Sequence, residues 1–369
     1  MTTTTKTVKA LKPGKAPKVS RPGKAGRAAA RRQAGLSQGQ LVRRRFLGNT
    51  AAVASLVLFV LILVLAYSAG GFLGLPGWWK YTHNEVTDVL NGGVPTLQLL
   101  PFSLGEHPFG QDRLGRDTFA QTMRGVQISV AVMAIIGLVG GFIGVVIGAA
   151  AGYFRGWVET LLMRLTDIVI IIPLIILAAV LGQVASRSVP AGVQPYFLGL
   201  FVGTVVWTGL ARLVRAEFLS LREREFVDAA RIAGASSARI IFKHILPNAV
   251  GVIIVSVTLS MSAAILLETS LSYIGMGVKA PDVSLGLLIS QNQEAFSTRP
   301  WLFWWPGLFI VAICLCVNFI GDGLRDAFDP RQKKFNARRA KEAPVPPAAV
   351  GSGHPGSGRD LAGTDGSDD

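Results

Sequence analysis

The chain has 369 residues, half of them hydrophobic and only 16% charged, with a mean hydropathy of +0.45. That balance is too apolar for an ordinary soluble domain of this length and makes the bilayer the expected solvent. The formal net charge is +15, but 13 of the 37 Lys and Arg lie in residues 1–45, a stretch without a single Asp or Glu, so the charge marks one end of the chain and not a basic fold.

In chain order, residues 1–42 are rich in Thr, Lys, Pro, Gly, Ala and Arg without apolar periodicity and read as a disordered basic arm. Each basic residue held near anionic lipid headgroups is worth about 1 kcal/mol. No aromatic residue is interleaved there, which speaks against nucleic acid as a partner. Phe46 to Tyr67 is an uncharged run of 22 residues, enough for the first span in a region taken as 43–125 together with an external loop. Its Ala66-Tyr67-Ser68-Ala69 end resembles a signal-peptidase site. The run is longer than the roughly 7 to 15 residues of a signal core, however, and an uncleaved anchor is expected.

Further spans are expected at 127–152, 160–182, 196–216, 249–273 and 301–321, the core of an all-α polytopic membrane domain taken as 126–335. Gly137, Gly141, Gly144 and Gly148 recur at small-xxx-small spacing in the second span and allow helices to approach closely. Six spans place both termini on one side. With the N-terminus cytoplasmic, 30 Lys and Arg fall inside and 7 outside, or 17 against 7 without the basic arm, which is the positive-inside distribution. Residues 336–369 are rich in Pro, Gly and Ser and read as a disordered cytoplasmic tail.

Cys314 and Cys316 stand two apart in an apolar run, about 200° around a helix, and read as small buried hydrophobes without disulfide or metal. The four histidines show no metal-ligand spacing. Trp301, Trp304 and Trp305 read as an interfacial belt.

The sequence changes character at EFVDAARIAGASSARIIFKHILPN (225–248), a polar, helix-forming insertion between the fourth and fifth spans. Glu225 to Ala233 suits a short helix with Asp228 one turn from Arg231, and with Ala229 and Ala230 small enough for a partner's close approach. Gly234 can take the left-handed conformation that ends it. Ser236 or Ser237 can cap a second helix running to His244, after which Pro247-Asn248 opens the next span. Three uses remain open on these residues alone: docking of a partner, an amphipathic hairpin on the headgroups, or a helix-turn-helix on DNA.

Asp228-Ala229-Ala230, Gly234 and Leu246-Pro247 together resemble the EAA loop of bacterial ABC importer permeases, with six residues from acid to glycine and thirteen from glycine to proline. Asp228 replaces the usual Glu, and His244 stands where the general pattern has Ile; both are similar to the dipeptide and oligopeptide subgroup. HPFGQDRLGRD (107–117), MRLTDIVIIIP (163–173), ETSLSYIGMG (268–277) and NFIGDGLRDAFDPR (318–331) resemble further segments of that subgroup in the same order. The likeness covers about 43–335 and, after the arm, is closest to its C-type inner-membrane subunit.

The resemblance implies a six-helix permease with a coupling helix between helices 4 and 5, one of two homologous permease subunits, above two ATPases and below an extracytoplasmic binding protein. The expected cargo is a di- or oligopeptide. Nickel, glutathione or another small solute is the alternative within the subgroup, and a membrane-anchored scaffold or signalling protein the alternative outside it. No G-x-x-x-x-G-K-[ST] occurs, so no catalysis or cofactor is expected in this chain, and ATP and Mg belong to the partner ATPases. Carried over residue by residue, Asp228, Ala229, Ala230 and Gly234 form the coupling site, with Phe226, Arg231, His244 and Pro247 contributing. Arg164 and Asp167 can pair on the third helix as a packing ion pair or serve the path. Glu268 is placed near the outer mouth, to meet a peptide amine or the binding protein, or to bond the following loop. Asn318, Asp322, Arg325 and Asp326 read as a cytoplasmic closure against the coupling loop. Arg113, Arg116 and Asp117 can receive the binding protein or fold the outer loop.

Overall fold

The computed structural model describes residues 38–71 and 75–328; the remainder of the basic arm, the C-terminal tail and the last three residues of the NFIGDGLRDAFDPR motif lie outside the described residues. The helices are α1 Gln38–Phe46, α2 Thr50–Gly70, α3 Thr118–Phe154, α4 Gly156–Ile171, α5 Leu174–Ser188, α6 Gln194–Gly203, α7 Thr208–Arg222, α8 Glu225–Ile232, α9 Ser237–Tyr273, α10 Leu285–Asn292 and α11 Trp301–Phe328. A two-stranded antiparallel hairpin, β1 Gln98–Leu99 and β2 Phe102–Ser103, decorates the loop before α3. Among the described residues, four helices (α2, α3, α9 and α11) are long and apolar enough to cross a membrane, and two bent pairs raise the number to six if each pair is one span.

Residues 38–42, expected to be disordered, are the start of α1, and the first span begins at Thr50 because Asn49 caps it, its side chain accepting from the Ala52 amide at 3.3 Å. The third span is not continuous. Pro173 has no N–H to give and drives Ile172 to extended backbone (φ −76°, ψ 123°), so α4 and α5 meet at 85°. The fourth span is likewise bent, by 43° between α6 and α7. The fifth runs the other way. The second helix of the polar insertion does not end at His244 but continues through a π-helical segment, Ile240–Ile245, into the membrane as one 37-residue helix.

The long α3, about 55 Å at 1.5 Å per residue, is the mast of the fold. Gly140, Gly144, Gly148 and Gly152 form a stripe at four-residue spacing along the α6–α7 pair, so close that a Cβ at Gly148 would stand 2.8 Å from the Val214 Cβ, and one at Gly152 2.6 Å from that of Phe218. Gly137 and Gly141 meet Met261 and Val257 of α9 in the same way. The membrane core is built from α2, α3, α5, α6, α9 and α11; a second cluster joins the end of α3 to α7, α8 and the π segment. Cys316 is buried, and Cys314 lies with its Sγ 3.2 Å from the Ser262 hydroxyl.

A Gly148→Val substitution is expected to lower stability by about 1–3 kcal/mol or more, because both neighbouring walls would have to move. Gly209→Ala, where nothing lies within 4 Å of the new Cβ, is expected to be neutral or to stabilise by up to about 1 kcal/mol. Thermal unfolding of the two purified variants in detergent measures the difference.

Candidate functional site: the α7–α8–α9 projection

Helix α8 is amphipathic in its seating as well as its sequence. Val227 and Ala230, one turn apart, are buried in the second cluster with Ala149 and Tyr153 of α3, Phe218 of α7, and Ile240 and Ile245 of the π segment. Ala230 therefore gives α8 its close approach to this chain's own core, and of the two alanines only Ala229 is exposed. The outward surface carries Phe226, Asp228, Ala229, Arg231 and Ile232, the last 88% exposed, and Phe242 of the π segment is 67% exposed. Asp228 and Arg231 pair at 3.1 Å across this exposed face, an interaction too well solvated to add much stability.

Gly234 closes α8. Its φ of +78° lets its amide bond the Arg231 carbonyl while the Ala235 amide reaches the Ala230 carbonyl, the paired bonds of a Schellman turn. Ser236, and not Ser237, then caps α9 by accepting from the Arg239 amide. The near side is clamped by charge. Arg155 pairs with Glu223 at 2.7 Å, Arg222 donates to the Tyr153 carbonyl and lies over its ring at 5.5 Å, and Arg215 donates to Glu159 at 2.7 Å. His244 is half-buried in the π segment with its carbonyl bonded by the Asn248 side chain at 2.6 Å, and Pro247 sits exposed at the junction with the membrane part of α9. Arg155, Tyr153, Glu223 and Phe242 were not legible as parts of this unit; the apolar pair Val227 and Ala230, one turn apart, was the available signal for the seat.

The residues expected elsewhere sort differently. Asp167 pairs with Arg212 of α7 at 2.6 Å instead of with Arg164, tying the bent third span to the fourth. Glu268 is fully buried and accepts from Ser129 of α3 at 3.0 Å and Ser272 at 2.7 Å. Ser272 in turn accepts from Ser284 and from the Val278 amide, so Glu268 is a knot between α3, α9 and the following loop. Asn318 is half-buried beside Cys314. Asp326 accepts from Asn49, and Arg45 donates to the Ala327 carbonyl at 3.3 Å, so the end of α11 is tied to α1 and to the cap of α2.

In the loop before α3, Asp117 is buried as the N-cap of α3, accepting from the Ala120 amide at 2.8 Å and Trp79 Nε1 at 2.9 Å and lying 2.8 Å from His107 Nδ1. Arg116 pairs with Asp112 at 2.6 Å. Both fold the loop, whereas Arg113 is exposed. Trp305 is half-buried. It stacks on Phe109 at 3.9 Å, while Trp304 stays exposed. Among the described residues no group of His, Cys, Asp and Glu has the arrangement of a metal site.

Residues 144–334 match the model of the binding-protein-dependent transport system inner membrane component, and residues 37–89 that of the N-terminal TM domain of oligopeptide transport permease C. The oligopeptide transport system permease protein OppC of Mycobacterium tuberculosis is 39% identical over 81% of this chain and 97% of its own length. Its Escherichia coli K12 counterpart is 36% identical over 81% and 93%. Among solved structures, the MetNI methionine ABC transporter in an inward-facing conformation aligns with a TM-score of 0.46 at 20% identity, over 56% of this chain and 95% of that one.

Gly234 has open space around its Cβ position, so only backbone strain opposes a larger residue. Gly234→Asn, tolerated at positive φ, is expected to keep the turn, whereas Gly234→Leu costs about 1–2 kcal/mol and loosens it. Hydrogen exchange at the Ala235 amide reads both. Glu268→Leu is expected to cost about 1–3 kcal/mol for each hydroxyl left unpaired, and Glu268→Gln substantially less, as read by melting temperature.

Proposed function

The chain belongs to the family of binding-protein-dependent transport system inner membrane components, and on that premise we propose that it is the C-type permease subunit of an ATP-binding-cassette importer that carries oligopeptides across the cytoplasmic membrane. It works beside a homologous second permease subunit, with ATPase subunits docked on the α8 face and an extracytoplasmic binding protein delivering peptide at the opposite end. Hydrolysis belongs to the ATPases, which hold ATP and Mg. This chain contributes no catalytic residue and binds no nucleic acid.

The observation that carries the coupling role is the two-sided character of α8: Val227 and Ala230 are locked into the chain's own core while Phe226, Asp228, Ala229, Arg231 and Ile232 are exposed. A helix held this way cannot yield independently when its outer face is pushed. The push passes to α3 through Tyr153 and Ala149 and, because the π segment is continuous with α9, into the fifth span. ATPase closure thereby biases an equilibrium between inward-open and outward-open states, by no more than the difference in contact energy that α8 makes in the two. The excess of Lys and Arg in the arm, the α7–α9 region and the tail supports a cytoplasmic position for α8 and both termini.

Copurification from native membrane in mild detergent, followed by ATPase assay, tests the assignment. A P-loop ATPase and a second permease are expected with the unsubstituted chain. Asp228→Lys, which sets a cation beside Arg231, and Gly234→Leu are expected to detach the ATPase or uncouple hydrolysis from the binding protein. Partners indifferent to both substitutions, or a chain that comes out alone, would sink the coupling role.

A further inference from the structure

A second feature faces the opposite membrane side and is unused by the coupling end. A groove of about 550 Å³ runs along α5, with Ile176, Ala179 and Val180 on one wall and Ile274 and Met276 on the other, and with Gln183 and Arg187 towards its outer end. The loop after α9 is pinned there: Gly182 allows the Met276 carbonyl to press against α5, Gln183 Nε2 lies 3.0 Å from the Met276 sulfur, and Gln194 bonds the Gly277 carbonyl at 3.1 Å. That pinning brings Lys279 over α5, where its ammonium donates to Gln183 Oε1 and Ser186 Oγ, both at 3.3 Å.

The charge at this mouth is uncompensated. No Asp or Glu occurs between Asp167 and Glu217, a stretch that includes all of α5 and α6. The acid nearest Lys279 in sequence, Asp282, is engaged by the Arg124 guanidinium through two bonds of 2.8 and 3.0 Å. Among the described residues neither Lys279 nor Arg187 has a carboxylate within salt-bridge distance, and the two acceptors on Lys279 are neutral and leave one of its three donors over. A second cavity lies next along the same helix. Ile175 and Ile176 of the groove follow directly on Ile172, Pro173 and Leu174, which line a cleft of about 390 Å³ among α3, the α4–α5 break, α6–α7 and α9. Arg187 on the groove wall and Lys279 bonded to Gln183 and Ser186 beside it, neither with a carboxylate partner among the described residues, suit an anionic group on a partly apolar cargo entering from outside.

We propose that Lys279, steadied by Gln183 and Ser186, together with Arg187, binds the C-terminal carboxylate of the incoming peptide and starts it into the cleft at the α4–α5 break. The inference rests on the peptide-import reading and adds a selective group within the permease itself. A carboxylate accepting from an ammonium and a guanidinium makes charge-assisted bonds, which an uncharged peptide end cannot replace.

The test uses the complete importer in proteoliposomes, with trialanine and its C-terminal amide as the two probes. Lys279→Gln and Arg187→Gln are each expected to raise the KM for trialanine about tenfold with little change in maximal rate, and to move uptake of the amide less than about twofold; Lys279→Arg is expected to restore the trialanine KM. Parallel changes for acid and amide, or no change for either, overturn the proposal. If uptake is unmoved while the variants lose an anionic phospholipid seen by native mass spectrometry in the unsubstituted complex, the cations hold a lipid phosphate and the proposal also falls. An unsubstituted importer that takes up neither probe overturns the peptide reading itself, a result distinct from selective indifference in the variants.

Discussion

Everything else in this structure depends on how closely α3 can approach its neighbours. A membrane-embedded protein gains little from burying apolar side chains against one another, because lipid is equally apolar, so its helices associate through shape and short polar bonds. Gly140, Gly144, Gly148 and Gly152 remove four side chains from one face of α3 and let the backbones of α6 and α7 come into contact, while Gly137 and Gly141 do the same for α9. Because α3 runs from the Asp117 cap to Phe154 beside the α7–α9 projection, these approaches fix the fourth and fifth spans against the second half of one mast.

The projection inherits its rigidity from that arrangement. The last glycine contact, Gly152 on Phe218, leads directly into the cluster that seats Val227 and Ala230, so packing in the membrane and packing beneath α8 are continuous. Three partly exposed ion pairs, Arg155 with Glu223, Arg215 with Glu159, and Arg212 with Asp167, tie the α3–α4 region to α7 at a smaller desolvation penalty than fully buried pairs would carry. The π segment marks the place where the projection becomes a span, and such segments are often found at functional sites.

At the other end of α9 the ties are hydroxyl hydrogen bonds and one ion pair. Glu268 is surrounded by serine hydroxyls, and the knot they make joins α3, α9 and the loop that carries Lys279, while Arg124 and Asp282 brace that loop from the other side. The break at Pro173 serves both halves. It frees α5 from the line of α4 and opens the cleft between them, at the cost of the continuous hydrogen bonding a straight span would have had.

The local signals in the chain determined what local physics decides: apolar runs long enough to span a bilayer, the capping role of a Ser at 236–237, the left-handed turn at Gly234, the small residues on α3, and a polar helix set between two spans. Even so, Pro173 was legible as a helix breaker and the continuous run of apolar residues around it masked the bend. What only the tertiary structure decided is which groups meet across the fold. Composition on one helix could not reveal that Asp167 belongs with Arg212 rather than Arg164, that Ala230 faces inward and Ala229 outward, that Glu268 is tied up by Ser129 from a helix more than a hundred residues earlier, or that Trp305 stacks on Phe109. Helical periodicity specifies the angle between residues on one helix, but the direction that angle faces is set by the neighbour it packs against, and those neighbours are distant in the chain.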